Sequence, residues 1–79
     1  MPGLRVLSGR EVCDILKANG FTFVSQKGSH IKMRYEIEDE TGIVIVTYSV
    51  TVPDHKTLKI GTLSGIIRQS GLPRELFEK

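Results

Sequence analysis

The stretch Lys27-Gly28-Ser29-His30-Ile31-Lys32-Met33-Arg34 decides how this chain folds. A glycine turn delivers a histidine into a strand whose side chains alternate with period two. His30, Lys32 and Arg34 then share one face, while Ile31, Met33 and Tyr35 point the other way. The apolar face can enter a core. The other offers an imidazole and two fixed positive charges in a row, which suits a phosphodiester. A histidine at a strand start is otherwise a solvated turn residue, so the rest of the chain must choose between the two.

Upstream of the turn, Phe21-Thr22-Phe23-Val24-Ser25-Gln26 reads as the paired first strand, because aromatic and β-branched residues suit a half-buried pleated surface. Before it, Ser8-Gly9-Arg10-Glu11 is a capping box. The Ser8 hydroxyl can accept from the Glu11 amide while the Glu11 carboxylate reaches back to the Ser8 amide. Val12, Ile15 and Leu16 follow at helical spacing with Cys13 beside them, and Asn19-Gly20 closes that helix.

Downstream, the second strand runs from His30 to Ile37 and an acidic stretch through Thr41-Gly42 turns the chain. The third strand, Ile43 to Val52, places Val44, Val46, Tyr48, Val50 and Val52 on the expected core face, and Pro53 ends it because proline has no amide hydrogen to donate. A loop from Asp54 to Gly61 leads to a second helix near Thr62 with Leu63, Ile66 and Ile67 on its apolar face. Gly71 stops this helix, and Leu72 to Phe77 adds a last helical turn that starts at Pro73. The expected fold is a two-layer α+β domain spanning residues 1–79, in the order α-β-β-β-α. It has a three-stranded antiparallel sheet with two helices on one face.

Composition narrows the function. With 79 residues there is room for one small domain. A single cysteine, Cys13, permits neither an internal disulfide nor a Cys-rich zinc site and reads as a buried core thiol. No leader pattern or bilayer-length apolar run is read, so no membrane is expected and a cytoplasmic location is. The net charge of +2 understates the electrostatics, because four of the nine acids fall within Glu36–Glu40. Outside those five residues, eleven bases face five acids. Two base-rich segments on a small domain favour an anionic partner such as nucleic acid.

His30 and His55 are the two histidines, and neither sits in a metal-ligand pattern, so no metal or other cofactor is expected. No glycine-rich phosphate loop is present either. RNA cleavage fits such a set because RNA carries its own nucleophile. An imidazole can take the 2′-hydroxyl proton near neutral pH, and neighbouring cations can stabilise the charged phosphorane. Lys32 and Arg34 would supply those cations, and His55, which precedes Lys56 and Lys59, is the candidate for a second imidazole.

Taken together these residues resemble the HicA family of small mRNA-cleaving toxins over nearly the whole chain. The resemblance is carried by Asn19-Gly20-Phe21, the Lys27-Gly28-Ser29-His30 turn, the Pro53-x-His55 step, Lys59-x-Gly61-Thr62-Leu63, Ile67 and Gly71-Leu72. It implies a double-stranded-RNA-binding-domain-like fold used as a ribonuclease, with His30 as the catalytic histidine, Gly28 as the turn glycine and a HicB-type antitoxin as the protein partner. Lys27, Gly28, Ser29, Lys32, Arg34, Lys56 and Lys59 form the expected RNA-binding set. The chain departs from the family pattern in its longer, more acidic second hairpin, Glu36 to Thr41. Two other classes stay open: a non-catalytic double-stranded-RNA-binding module of the same fold, and an interaction domain for a protein partner only.

Overall fold

The computed structural model describes residues 3–79; Met1 and Pro2, where a leader would begin, lie outside the described residues. The elements are α1 (Gly9–Ala18), β1 (Thr22–Lys27), β2 (His30–Glu38), β3 (Val44–Pro53) and α2 (Ile60–Ser70), followed by a 3₁₀ turn at Arg74–Phe77. The expected α-β-β-β-α order is the observed one. Both strand pairs are antiparallel and the sheet order is β1-β2-β3, so β2 lies in the middle. No helix among the described residues is long and apolar enough to cross a membrane.

Local chemistry sets the ends of α1. The Ser8 hydroxyl accepts from the Glu11 amide at 3.0 Å, and the Ser8 amide donates to the Glu11 carboxylate at 2.9 Å. These two bonds satisfy amides that have no partner within the helix. The Ser8 amide, and then the Ser8 hydroxyl, acting on the carboxylate hold the Glu11 carboxyl below its ordinary pKa. Helix α2 ends at Gly71, whose φ of 70° lies in the left-handed region.

The core forms where the inner face of the sheet meets the two helices. Ile31 and Met33 pair with Val52 and Val50, and all four are buried beneath Val12, Leu16, Leu63 and Ile66. Cys13 is buried among them, as expected for a core thiol. Next along this face, Tyr35 and Tyr48 are cross-strand partners whose rings stack at 6.3 Å. The two ends of the chain close the same core. Leu4 bridges to Glu78, the Arg5 amide donates to the Phe77 carbonyl at 2.9 Å, and the Phe77 side chain is fully buried.

Two expectations for the strands need correction. The first is the core face assigned to β3: Val50 and Val52 are buried, but Val44 and Val46 are 41% and 39% exposed. A bulge is responsible for part of this. Ile37 pairs with Val46 and Glu38 with Val44, so Ile45 is an extra residue and Val44 joins the face of Glu38 instead of that of Val46. Val46 keeps the inner face, but it lies toward the tip of the hairpin arm, past the buried Val50–Val52 segment. The second is the half-buried β1, whose six residues are all exposed. Phe21, just before it, is the aromatic that enters the core.

At the acidic tip, one oxygen of the Asp39 carboxylate organises the turn. It accepts from the Thr41 hydroxyl and amide at 2.6 and 2.8 Å and from the Ile43 amide at 3.0 Å. Those donors favour the charged form and hold the Asp39 pKa below its ordinary value. The order they confer on the hairpin is present above the ordinary carboxylate pKa of about 3.9 and lost as pH falls through the lower, folded value. The Thr41 and Ile43 amide resonances are therefore expected to titrate with a midpoint below about 3.9, and Asp39→Ala should abolish that titration. A midpoint above it contradicts this account.

Helix α1 is pressed against the end of β3 at Gly9. A Cβ there would overlap the Pro53 carbonyl, and the Gly9 amide already donates to the His55 carbonyl at 2.9 Å. Gly9→Ala is expected to lower unfolding stability by about 1–3 kcal/mol through this overlap. Gly3→Ala, with open space around it, should be nearly neutral in the same denaturant titration.

Candidate active site and nucleic-acid interface

The β1–β2 turn is as tight as a hairpin turn can be. Lys27 and His30 are paired, so only Gly28 and Ser29 lie between the strands. Gly28 has a φ of 60° and Ser29 does not have a positive φ, the sign pattern of a type II′ turn with glycine in its first central position. No side chain is needed inside such a turn, and Gly28 has open space around it. Its role is conformational.

From that turn the outer face of the sheet follows by register. Cross-strand partners share a face. Lys27 lies beside His30, Ser25 and Thr51 flank Lys32, and Thr22 and Ser49 flank Arg34. His30, Lys27 and Lys32 are exposed and Arg34 is half-buried. The ion pairs among the described residues are Arg10–Asp54 and Arg74–Glu78, so these three cations are not neutralised by a carboxylate. The structure thus gathers Lys27, His30, Lys32 and Arg34 into one basic strip bordered by hydroxyls.

The remaining expected residues sit elsewhere. His55 and Lys56 follow the end of β3 and line a depression with Ser8, Arg10 and Asp54, beside the start of α1. The chain there is near the turn, since the Asp54 amide donates to the Ser29 carbonyl at 2.6 Å. Lys59 caps the start of α2 through its carbonyl, which accepts from the Leu63 amide at 2.9 Å. No pairing or hydrogen bond among the described residues ties Lys59 to the basic strip. Among the described residues, no three His, Cys, Asp or Glu side chains group as metal ligands. Cys13 is buried, and its desolvation pushes the thiol pKa up, the opposite of what activates a cysteine.

Asp54 and Gln26 were not read from the sequence as site residues, yet they meet at the turn. Gln26 Nε2 donates to the Gly28 carbonyl at 3.0 Å and to Asp54 Oδ2 at 3.1 Å, and Arg10 Nη2 donates to the same oxygen at 3.0 Å. Nothing local marks residues 28 and 44 positions apart as partners.

Residues 9–72 match the family described as HicA toxin of bacterial toxin-antitoxin. The chain belongs to the HicA toxin family. The match runs from the first residue of α1 to just past α2, so it includes all three strands, the Lys27–His30 turn, His55 and Lys59. This HicA-family chain is the toxin of a toxin–antitoxin system, and its partner is an antitoxin. Leu4, Leu7 and the Arg74–Phe77 turn lie outside the matched span although they complete the core. None of the curated proteins compared with the chain gives a match.

Gly28→Ala forces a Cβ into the positive-φ region at a cost of about 1–2 kcal/mol. It should lower the melting temperature and speed amide hydrogen exchange at Ser29 and His30. Unchanged exchange at both amides would show that the turn tolerates a side chain.

Proposed function

We propose that this HicA-family toxin is a metal-independent endoribonuclease that cleaves mRNA, with His30 as its general acid–base residue. One observation carries the reading: His30 lies exposed in a strip of cations not neutralised by acids, beside Lys27 and in line with Lys32 and Arg34. The family supports it by making the chain a toxin. RNA laid along the strip would present its phosphates to Lys27, Lys32 and Arg34, with Lys56 and Lys59 extending the contact beyond the sheet face.

In the reaction, the His30 imidazole takes the proton of a ribose 2′-hydroxyl. The 2′-oxygen then attacks the adjacent phosphorus, and the bond from phosphorus to the 5′-oxygen breaks. The leaving oxygen takes a proton from a second acid, for which His55 is the candidate. Products are a 2′,3′-cyclic phosphate and a free 5′-hydroxyl. Lys32 and Arg34 stabilise the extra negative charge on the phosphorane. Gly28 and Ser29 set the backbone that aims His30. The antitoxin is then of the HicB type and acts by covering the strip, and the cytoplasm, where mRNA is translated, is the place of action.

Purified protein should shorten RNA in the presence of EDTA, leaving cyclic-phosphate ends, and His30→Ala should reduce the rate by about 10²-fold or more while the circular dichroism spectrum is retained. If His30→Ala cleaves as fast as the parent, the assignment fails. If the parent shifts structured RNA in a gel without shortening it, the chain is a non-catalytic double-stranded-RNA-binding module.

A further inference from the structure

The turn that carries His30 is gripped from behind. Lys27 and His30 face the open side of the sheet, whereas Gln26, the partner of Ile31, lies on the opposite side. From there Gln26 Nε2 reaches both the Gly28 carbonyl and Asp54 Oδ2. Both partners are acceptors, so only the nitrogen end of the amide can face them, and its two hydrogens are both used. The Asp54 amide binds the turn a second time, at the Ser29 carbonyl. Arg10 completes the arrangement from α1.

We propose that Asp54 and Gln26 form a clamp that positions His30 for the reaction, with Arg10 holding the Asp54 carboxylate in place. The inference rests on the ribonuclease reading. Both carbonyls of the two-residue turn, Gly28 and Ser29, are tied to this clamp, so the turn cannot rock about its own strands without breaking a bond. Asp54 is the better-sheltered member, with its side chain 24% exposed against 71% for Arg10. The Arg10 pair is therefore the weaker contribution. Gln26, on the side opposite His30 and Lys32, makes its two bonds away from the basic strip. Asp54 and Gln26 are positioning residues: they act on substrate only through His30.

Single-turnover and steady-state cleavage of one RNA by the full chain tests this. Asp54→Asn keeps the backbone bond to Ser29 but replaces the charged acceptor with an amide, and Gln26→Leu removes both donors. Each is expected to lower kcat by about tenfold or more with KM within about twofold, as for a displaced catalytic group. Because they act as one unit, the double variant should be no slower than the slower single variant. Arg74→Gln, which removes the other exposed ion pair, should retain the parental kcat. The Gly28 and Ser29 amide resonances of the two clamp variants should broaden or split as the turn samples a second position.

Parental kcat in both clamp variants overturns the clamp, and so does a loss confined to KM, which would mark a binding contact. If the parent itself does not cleave RNA, the ribonuclease reading falls instead. Sharp, unshifted Gly28 and Ser29 amides in both variants would then reject the clamp on its own account.

Discussion

Burial of Ile31 and Met33 beneath the helices is the constraint on which the rest of the molecule depends. The central strand is hydrogen-bonded on both sides, so its register fixes the faces of all three strands. A slip of one residue would carry Lys32 into the core and Ile31 into water, inverting every side chain of that strand. The penalty for such inversion is what keeps His30, Lys32 and Arg34 on the open side. The core and the proposed site are thus two faces of one pleat.

The same strand also separates the charges. Its first five residues carry His30, Lys32 and Arg34, and its far end carries Glu36 and Glu38 before the Asp39–Glu40 tip. At about 3.3 Å per residue, His30 and Glu38 stand roughly 26 Å apart, well beyond the screening length of about 8 Å at physiological salt. An anionic polymer is attracted at one end and repelled at the other. The small net charge of +2 conceals this polarity.

Features fixed by neighbours in the chain were legible in the sequence. The Ser8–Glu11 capping box, the Gly28-Ser29 turn, the alternation of β2 and the stop at Gly71 all depend on residues a few positions apart. Features fixed by long-range geometry were not. The bulge at Ile45 breaks the alternation in a run of apolar residues whose composition gives no sign of it. Phe21 enters the core while Phe23, on the edge strand β1, stays exposed. Within the proposed site, His30 and its strip could be read from parity alone. Asp54 and Gln26 could not, since only the folded register brings residue 54 beside residue 26.

The closure of the core by the chain ends has a consequence for how the protein is made. Phe77, among the largest fully buried side chains, is held beside Arg5, more than seventy residues earlier. A chain emerging in order from the ribosome can cap α1 and pair β1 with β2 early, since those contacts are local. It cannot seal its interior until Phe77 has been made. The nascent toxin therefore carries a formed His30 turn on a core that stays unsealed until the segment with Phe77 has joined it.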